Sequence, residues 1–505
     1  MSETNTNLAA QLWRIAELQG GRPAVTERSR AVDLATLGAR AAAIAAALAE
    51  GPVRPGDRVA LFLERGADAV AALFGAYAVG AIAVVINDRF RPRQIEYVLG
   101  HCGASVLLTT AGMLDRLHRA PETTALVIDT DSLPARGSFT PVARISPDLA
   151  QIIYTSGSTG MPKGVVFTNG ALHAGIRAVS DYLGLQPDDR VATLLPFSSV
   201  YGLNQVLTAI ACGASIVVEP SPVPHQMVVG LAQQGATVLA AVPPLWIQLL
   251  SVPDFRDGAL RGVRIAQNAG GHLAPEIVRR VRAALPTTRL FLQYGMTETF
   301  RGTYLPPEEV DRRPGSMGRA MPDTEILVLD EEQRPVPDGS VGELVHRGPT
   351  IASGYWRDPE TTARVFRPHP LRPAGAPPTE RVVFSGDLVR RDSDGFLYFV
   401  GRRDRMIKSM GFRVGPDEVA DALHASGEIR ETVIDAEPDA DRGERILAYV
   451  VLREGGSAQR LERFCRAELP AYAQPAEYVI RDQLPRLPSG KYDLDALRGR
   501  DRPPT

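Results

Sequence analysis

Four times in this chain a helix-like stretch runs into Gly-Ala and then at once into a short apolar run. Gly80-Ala81 precedes Ile82-Ala83-Val84-Val85-Ile86, Gly103-Ala104 precedes Ser105-Val106-Leu107-Leu108, Gly213-Ala214 precedes Ser215-Ile216-Val217-Val218, and Gly235-Ala236 precedes Thr237-Val238-Leu239-Ala240. Glycine just past the last helical residue is a helix C-cap, because the left-handed conformation needed there carries no Cβ penalty. An apolar run without alternation suits a strand covered on both faces. Helix followed by buried strand, repeated, predicts a largely parallel α/β architecture.

The longest apolar stretch, Ala69 to Ile86, is uncharged and nearly long enough to span a bilayer. Its Ala and Gly content and the break at Gly80 predict instead a buried helix followed by a buried strand. After about Arg319 the pattern turns antiparallel: Glu325-Ile326-Leu327-Val328-Leu329 and Gly342-Glu343-Leu344-Val345-His346 flank a Pro337-Asp338-Gly339 turn, which predicts a β-rich subdomain. The Pro-rich stretch from Arg367 to Thr379 predicts an exposed loop. At 505 residues the chain exceeds the ~250 to 300 residues that one core sustains. Charged Gly401 to Lys408 is the expected boundary, with a small α/β unit of about a hundred residues after it.

Bulk properties exclude several classes. Lys and Arg number 56 against 58 Asp and Glu, for a net charge of −2, and no polybasic run points to nucleic acid. Cys102, Cys212 and Cys465 are isolated and odd in number, which argues against a disulfide framework and for a reducing compartment. The eight histidines never fall into zinc-ligand spacing. The N-terminal MSETNTNLAAQLWRIAELQG has neither the basic region nor the apolar core of a signal peptide. A cytoplasmic protein without membrane insertion is expected.

Chemistry enters with Ile153 to Val165, IYTSGSTGMPKGV. Gly157, Gly160 and Gly164 open backbone conformations closed to other residues, and successive N–H groups in such turns form a concave anion site. Thr155, Ser156, Ser158 and Thr159 add hydroxyls, and Lys163 adds a compact positive charge. A Ser/Gly linker is the bland alternative, but apolar strands adjoin this segment on both sides. It is not a Walker A loop, which would need glycine where Pro162 stands. The segment resembles the signature of the adenylate-forming superfamily of acyl-CoA synthetases, adenylation domains and luciferases. Further motifs follow in that family's order: Gln293-Tyr294-Gly295-Met296-Thr297-Glu298-Thr299, Ser385-Gly386-Asp387, Gly401 to Lys408, Gly411-Phe412-Arg413-Val414, and Leu487-Pro488-Ser489-Gly490-Lys491.

The resemblance implies a fold, α/β in class: a large N-terminal domain of parallel-sheet subdomains plus a β-rich subdomain, residues 1–402, and a small mobile α/β C-terminal domain, residues 403–505, hinged near Asp404. It implies ATP and Mg²⁺ as cofactors. Thr155, Ser156, Gly157, Ser158, Thr159, Gly160 and Lys163 would hold the terminal phosphates. Tyr294 would lie against adenine, with Asn268, Ala269, Gly270 and Gly271 as another wall and Gly295 and Met296 beside it. Thr297 would donate to the α-phosphate and Glu298 would hold Mg²⁺. Asp387 would accept the ribose hydroxyls, Arg402 would support them, and Arg413 joins the nucleotide set. Lys491 would bridge carboxylate and α-phosphate in adenylation, and Gly411 would border a thiol tunnel. The expected activity joins an acyl or aryl acid to AMP, releases pyrophosphate, and passes the acyl group to CoA or a carrier-protein thiol.

Departures from the family lie on the acyl side. In Leu194 to Asn204, which includes Phe197 and Tyr201, Ser199 stands where many acyl- and aryl-CoA ligases carry histidine, so it is a candidate pocket donor. Arg301, in TETFRGTY, is either a surface arginine or points inward to meet a second acidic group on the substrate. His272 is either pocket wall or a satisfied loop histidine. An amine acceptor, nitrite in place of a carboxylate, and a catalytically silent nucleotide-binding module are the competing functions.

Overall fold

The computed structural model of the chain describes residues 5–27, 30–117, 119–155, 162–375, 379–410, 412–439, 442–487 and 490–499. Ser156, Gly157, Ser158, Thr159, Gly160 and Gly411 lie outside the described residues, as does the side chain of Arg413. The four predicted cap glycines follow the helices Ala67–Ala78, Pro92–Cys102, Val200–Cys212 and Pro224–Gln233. Their φ angles are +73° at Gly80, +63° at Gly103, +69° at Gly213 and +62° at Gly235. Each turns its chain into a buried strand, Ile82–Val85, Val106–Thr109, Ser215–Val218 and Val238–Ala241.

Those strands build two large sheets. A seven-stranded sheet runs from Gly354–Tyr355 through Lys163–Thr168, Leu149–Thr155, Ile82–Val85, Arg58–Leu61 and Val106–Thr109 to Leu126–Asp129. A nine-stranded sheet carries Val238–Ala241, Ile265–Asn268 and Arg289–Tyr294 as parallel neighbours. Helices lie between the sheets, and one apolar core joins them, holding Val59, Ala83 and Phe167 from one sheet and Val25, Ile216 and Phe291 from the other. Separate cores cover the outer faces. The apolar stretch of near-bilayer length is the inner helix Ala67–Ala78 and its strand. Its small residues allow close approach to Leu34–Glu50: a Cβ at Gly75 would sit 3.0 Å from Ile44. No helix among the described residues is long and apolar enough to cross a membrane.

The β-rich part is an antiparallel sheet of Glu325–Leu329, Val341–Arg347, Arg381–Arg391, Phe366–Pro368 and Leu397–Arg402. The Pro-rich segment expected to be loop from Arg367 thus begins as an edge strand, with Pro368 opposite Arg381 and His369 buried. An edge position tolerates proline because no ladder bond needs its missing N–H. Beyond one 3₁₀ turn, Arg403–Arg405, the chain enters a smaller C-terminal domain with its own sheet of Ile407–Ser409, Phe412–Val414, Gly443–Leu452, Ile429–Asp439 and Glu477–Ile480.

That domain docks through its helix Pro416–Ala425 onto the helix Pro275–Ala284 and the strand Leu397–Arg402. At the contact His272 Nε2 lies 2.9 Å from the Asp421 carboxylate. Burial pulls the His272 pKa down, but the Asp421 hydrogen bond and the charges of Asp421 and Asp417 more than offset this and raise it. Nearby, burial lowers His424 to about 4 and raises Asp417. A docked histidine with a raised pKa contributes fully below its ordinary value of 6.5 and loses that contribution as pH rises through the raised one. Docking should therefore weaken as pH rises above 6.5 and through the raised His272 value, read by interdomain energy transfer. His272→Gln should flatten the profile, and an unchanged profile in that variant would sink the assignment.

Candidate active site

The parallel strands of the nine-stranded sheet end on one edge, where open α/β sheets bind ligands. Asn268 pairs with Ala241 on one side and Leu292 on the other, so Asn268-Ala269-Gly270 and Tyr294-Gly295-Met296-Thr297 leave the sheet side by side. Gly295 has no room for a side chain, since a Cβ would meet Arg301 Cα at 3.0 Å. Tyr294 packs on the core of the β-rich sheet, and its hydroxyl donates to Asp387 Oδ2 at 2.6 Å. Register places Arg402 directly opposite Asp387 on the neighbouring strand, with Nη1 3.2 Å from Oδ1.

Asp387 is only 5% exposed. Burial raises its pKa, against the Tyr294 hydrogen bond and the Arg402 charge. Burial and then the Asp387 charge push the Tyr294 phenol well above its ordinary value. The Arg402 contact lacks hydrogen-bond geometry, so Asp387 Oδ1 is a buried acceptor without a partner, as is Asn268 Oδ1.

On the opposite side, Thr155 and Lys163 face each other as the last pair of two antiparallel strands. Lys163 Nζ lies 3.0 Å from Thr361 Oγ1, 3.7 Å from Asp358 and 5.8 Å from the Tyr355 ring centre. Tyr355 in turn donates its hydroxyl to Glu298 Oε1. Glu298 lies in the 3₁₀ turn Thr297–Thr299, and its carbonyl accepts from Ala352 N–H at 2.8 Å. Lys163 and Glu298, predicted separately, thus meet through Tyr355. Sequence reasoning misses Tyr355, Asp358 and Thr361, since only pairing of Gly354–Tyr355 with Lys163–Thr168 brings them here.

Lys491 arrives from the C-terminal domain. Its loop closes with Leu487 N–H donating to Lys491 O at 2.7 Å and is anchored below by Arg486 and Tyr492, both bound to Glu431. A Cβ at Gly490 would stand 3.7 Å from Val242 of the large domain. The lysine is exposed at the open cleft, yet protein crowds its ammonium: desolvation, then Arg405 and Arg402, lower its pKa, while Asp387 and Glu298 oppose the shift. Arg402 also donates from Nε to Asp404 at 3.1 Å, so the expected hinge residue adjoins the site.

The acyl-side candidates divide. Ser199 caps the helix Val200–Cys212: its Oγ accepts from Gly202 N–H at 3.0 Å and donates to Pro196 O at 2.9 Å. Both roles of the hydroxyl are taken, and no free donor remains for a substrate. Phe197 belongs to the core between the sheets, apart from Tyr201, which packs with Ala269 and Val242. His272 is the satisfied histidine of the domain contact. Arg301, left open between surface and interior, is 2% exposed and lies 4.6 Å from the Tyr201 ring centre.

Over residues 12–356 the sequence matches the family described as AMP-binding enzyme, and over residues 418–491 the AMP-binding enzyme C-terminal domain. A linear gramicidin synthase of Brevibacillus parabrevis is 32% identical over 490 residues, 94% of this chain but only 9% of that much longer protein. Sulfoacetate–CoA ligase of Cupriavidus necator is 33% identical over 486 residues, 93% of this chain and 91% of that one. The structure of ATP-bound MatB from Rhodopseudomonas palustris superposes with a TM-score of 0.84 at 26% identity, covering 98% of this chain and 99% of that one. With both family segments in order along it, this chain belongs to the AMP-binding enzyme family.

Proposed function

We propose that the chain is an ATP-dependent acid ligase: a carboxylate oxygen attacks the α-phosphorus of ATP, pyrophosphate leaves, and a thiol such as CoA or a carrier-protein pantetheine then takes the acyl group and releases AMP. The observation that carries this reading is the convergence of Lys491, Asp387, Arg402 and Glu298 from two domains on one cleft. The reaction brings two anions together and drives off a third, so it needs fixed positive charge where negative charge develops. Lys491 supplies that charge at the mouth of the loop that the C-terminal domain presents to Asp387 and Glu298.

The residues fit adenosine. Asp387 Oδ1 and Asn268 Oδ1, buried acceptors without partners, suit hydroxyl and amine donors, and Tyr294 is held rigid beside them by its bond to Asp387. Thr155, Lys163 and the Ser156 to Gly160 segment between them hold the β- and γ-phosphates, and Thr297 donates to the α-phosphate. Glu298 would offer a carboxylate oxygen to Mg²⁺, a hard cation that would neutralise phosphate charge. Residues 1–402 and 403–505 move as two units about Asp404, because a single 3₁₀ turn joins their sheets. That rotation withdraws Lys491 and brings the thiol route past Gly411 and Arg413.

Pyrophosphate release, followed with panels of acids, amino acids and nitrite plus aryl amines, with and without CoA, tests the reading. Turnover with nitrite and an amine alone would replace the carboxylate. Silence with every panel would favour a nucleotide-binding module. Lys491→Ala should slow adenylation by roughly 10²- to 10³-fold, the scale of one transition-state donor, with ATP affinity by calorimetry little changed; near-normal adenylation would remove Lys491 from the chemistry. Asp387→Asn should instead weaken ATP binding by roughly 10- to 100-fold, as loss of a charged hydrogen-bond acceptor does. Unaltered affinity would take the ribose away from Asp387.

A further inference from the structure

Arg301 is a buried cation with no anion. Among the described residues no carboxylate lies within 4.0 Å of its guanidinium. Its hydrogen bond to Asn204 Oδ1, from Nη2, is long at 3.4 Å, and its Nε has no partner. A guanidinium does not shed its proton to escape burial, and a buried charge without a counter-ion is costly. The Tyr201 ring at 4.6 Å offsets part of this through its π face, and the neutral Tyr182 hydroxyl also faces the guanidinium.

The position is enforced. Phe300 adopts φ +60°, a conformation that bulky residues avoid, and its ring is held against Phe167 in the space left by Gly175, where a Cβ would meet it at 2.2 Å. This turn sends Phe300 into the core between the sheets and Arg301 into a buried polar layer with Asn204, Gln293 and Tyr201. Asn204 Nδ2, a second buried donor in that layer, also has no partner. Tyr201 links the layer to the nucleotide side, since it packs on Ala269 and donates to Gln267 O at 3.1 Å.

We propose that Arg301 and Asn204 form an anion subsite beside Tyr201, so that the acid substrate carries a second carboxylate or similar oxyanion besides the one that reacts. The inference rests on the ligase reading and specifies its substrate class. Two unpartnered N–H donors on neighbouring residues, one of them charged, match the two oxygens of such a group. Asn204 and Arg301 select the substrate because a monoacid strands the guanidinium unpaired, the kind of mismatch that discriminates strongly.

Pyrophosphate release should be measured with matched acids: malonate, succinate, glutarate and phthalate against propionate, butyrate and benzoate. Wild-type enzyme should favour diacids, and the best chain length reports the distance between the reacting centre and Arg301. Arg301→Gln should lower kcat/KM for the best diacid on the order of 10²- to 10³-fold, as loss of a buried charge partner does, with monoacids little affected and ATP affinity preserved. Equal use of mono- and diacids by wild type overturns the subsite, as does an equal loss on both in Arg301→Gln, which would make Arg301 a structural residue satisfied by Tyr182 and Gln293. Should the variant fail to fold, the wild-type series decides alone. If no acid releases pyrophosphate, the ligase reading fails separately, and thermal shift by succinate or phthalate in wild type but not in Arg301→Gln still decides whether an anion binds.

Discussion

The carboxylate of Asp387 is gripped from two sides by groups that belong to different parts of the molecule. Tyr294 reaches it from the end of the nine-stranded sheet and Arg402 from the last strand before the C-terminal domain. Within the β-rich sheet the pairing is a matter of register, Asp387 facing Arg402 across the ladder, with an irregularity at Leu388/Val389 just beyond it. A slip of one residue between the two strands would put these side chains on opposite faces. The end of the nine-stranded sheet, the β-rich subdomain and the link to the C-terminal domain thus meet at one buried acid.

Because Arg402 also binds Asp404, the same contact sets where the smaller domain begins. A single 3₁₀ turn joins the two domains, and the His272–Asp421 pair belongs to an orientation that puts Lys491 in electrostatic reach of Asp387 and Glu298. The charge proposed for adenylation at Lys491 is therefore conditional on docking. The fixed part, Lys163 with Asp358 and Tyr355 with Glu298, is built on strand pairing within the large domain.

The acyl side follows a different logic. Its most constrained element is the Phe300 turn, where strain is held by packing against Phe167 and Gly175 and the product of that strain is an inward-facing Arg301. Local strain maintained by surrounding structure is typical of functional sites. The subsite it creates sits one side chain, Tyr201, away from the nucleotide wall.

Short-range physics makes much of this legible from the residues alone. The Gly-Ala junctions declare helix ends and buried strands because capping and hydrophobic periodicity are local properties, and the ordered motifs from Thr155 to Lys491 carry the family. The extent of the Pro-rich loop is not readable in the same way, because edge pairing depends on a partner strand elsewhere. Ser199 reads as a free donor, yet a serine before a helix is as well suited to capping, and only the bonds to Gly202 and Pro196 decide between the two. Arg301 has no neighbours in sequence that assign it to surface or interior, and Asn204, Tyr355 and Asp421 carry no local signal. Fold, family and nucleotide motifs follow from local conformation and from spacing along the chain. Which charges are paired and which are left waiting follows only from the folded arrangement, because a counter-ion is found across strands and domains, by distance in space.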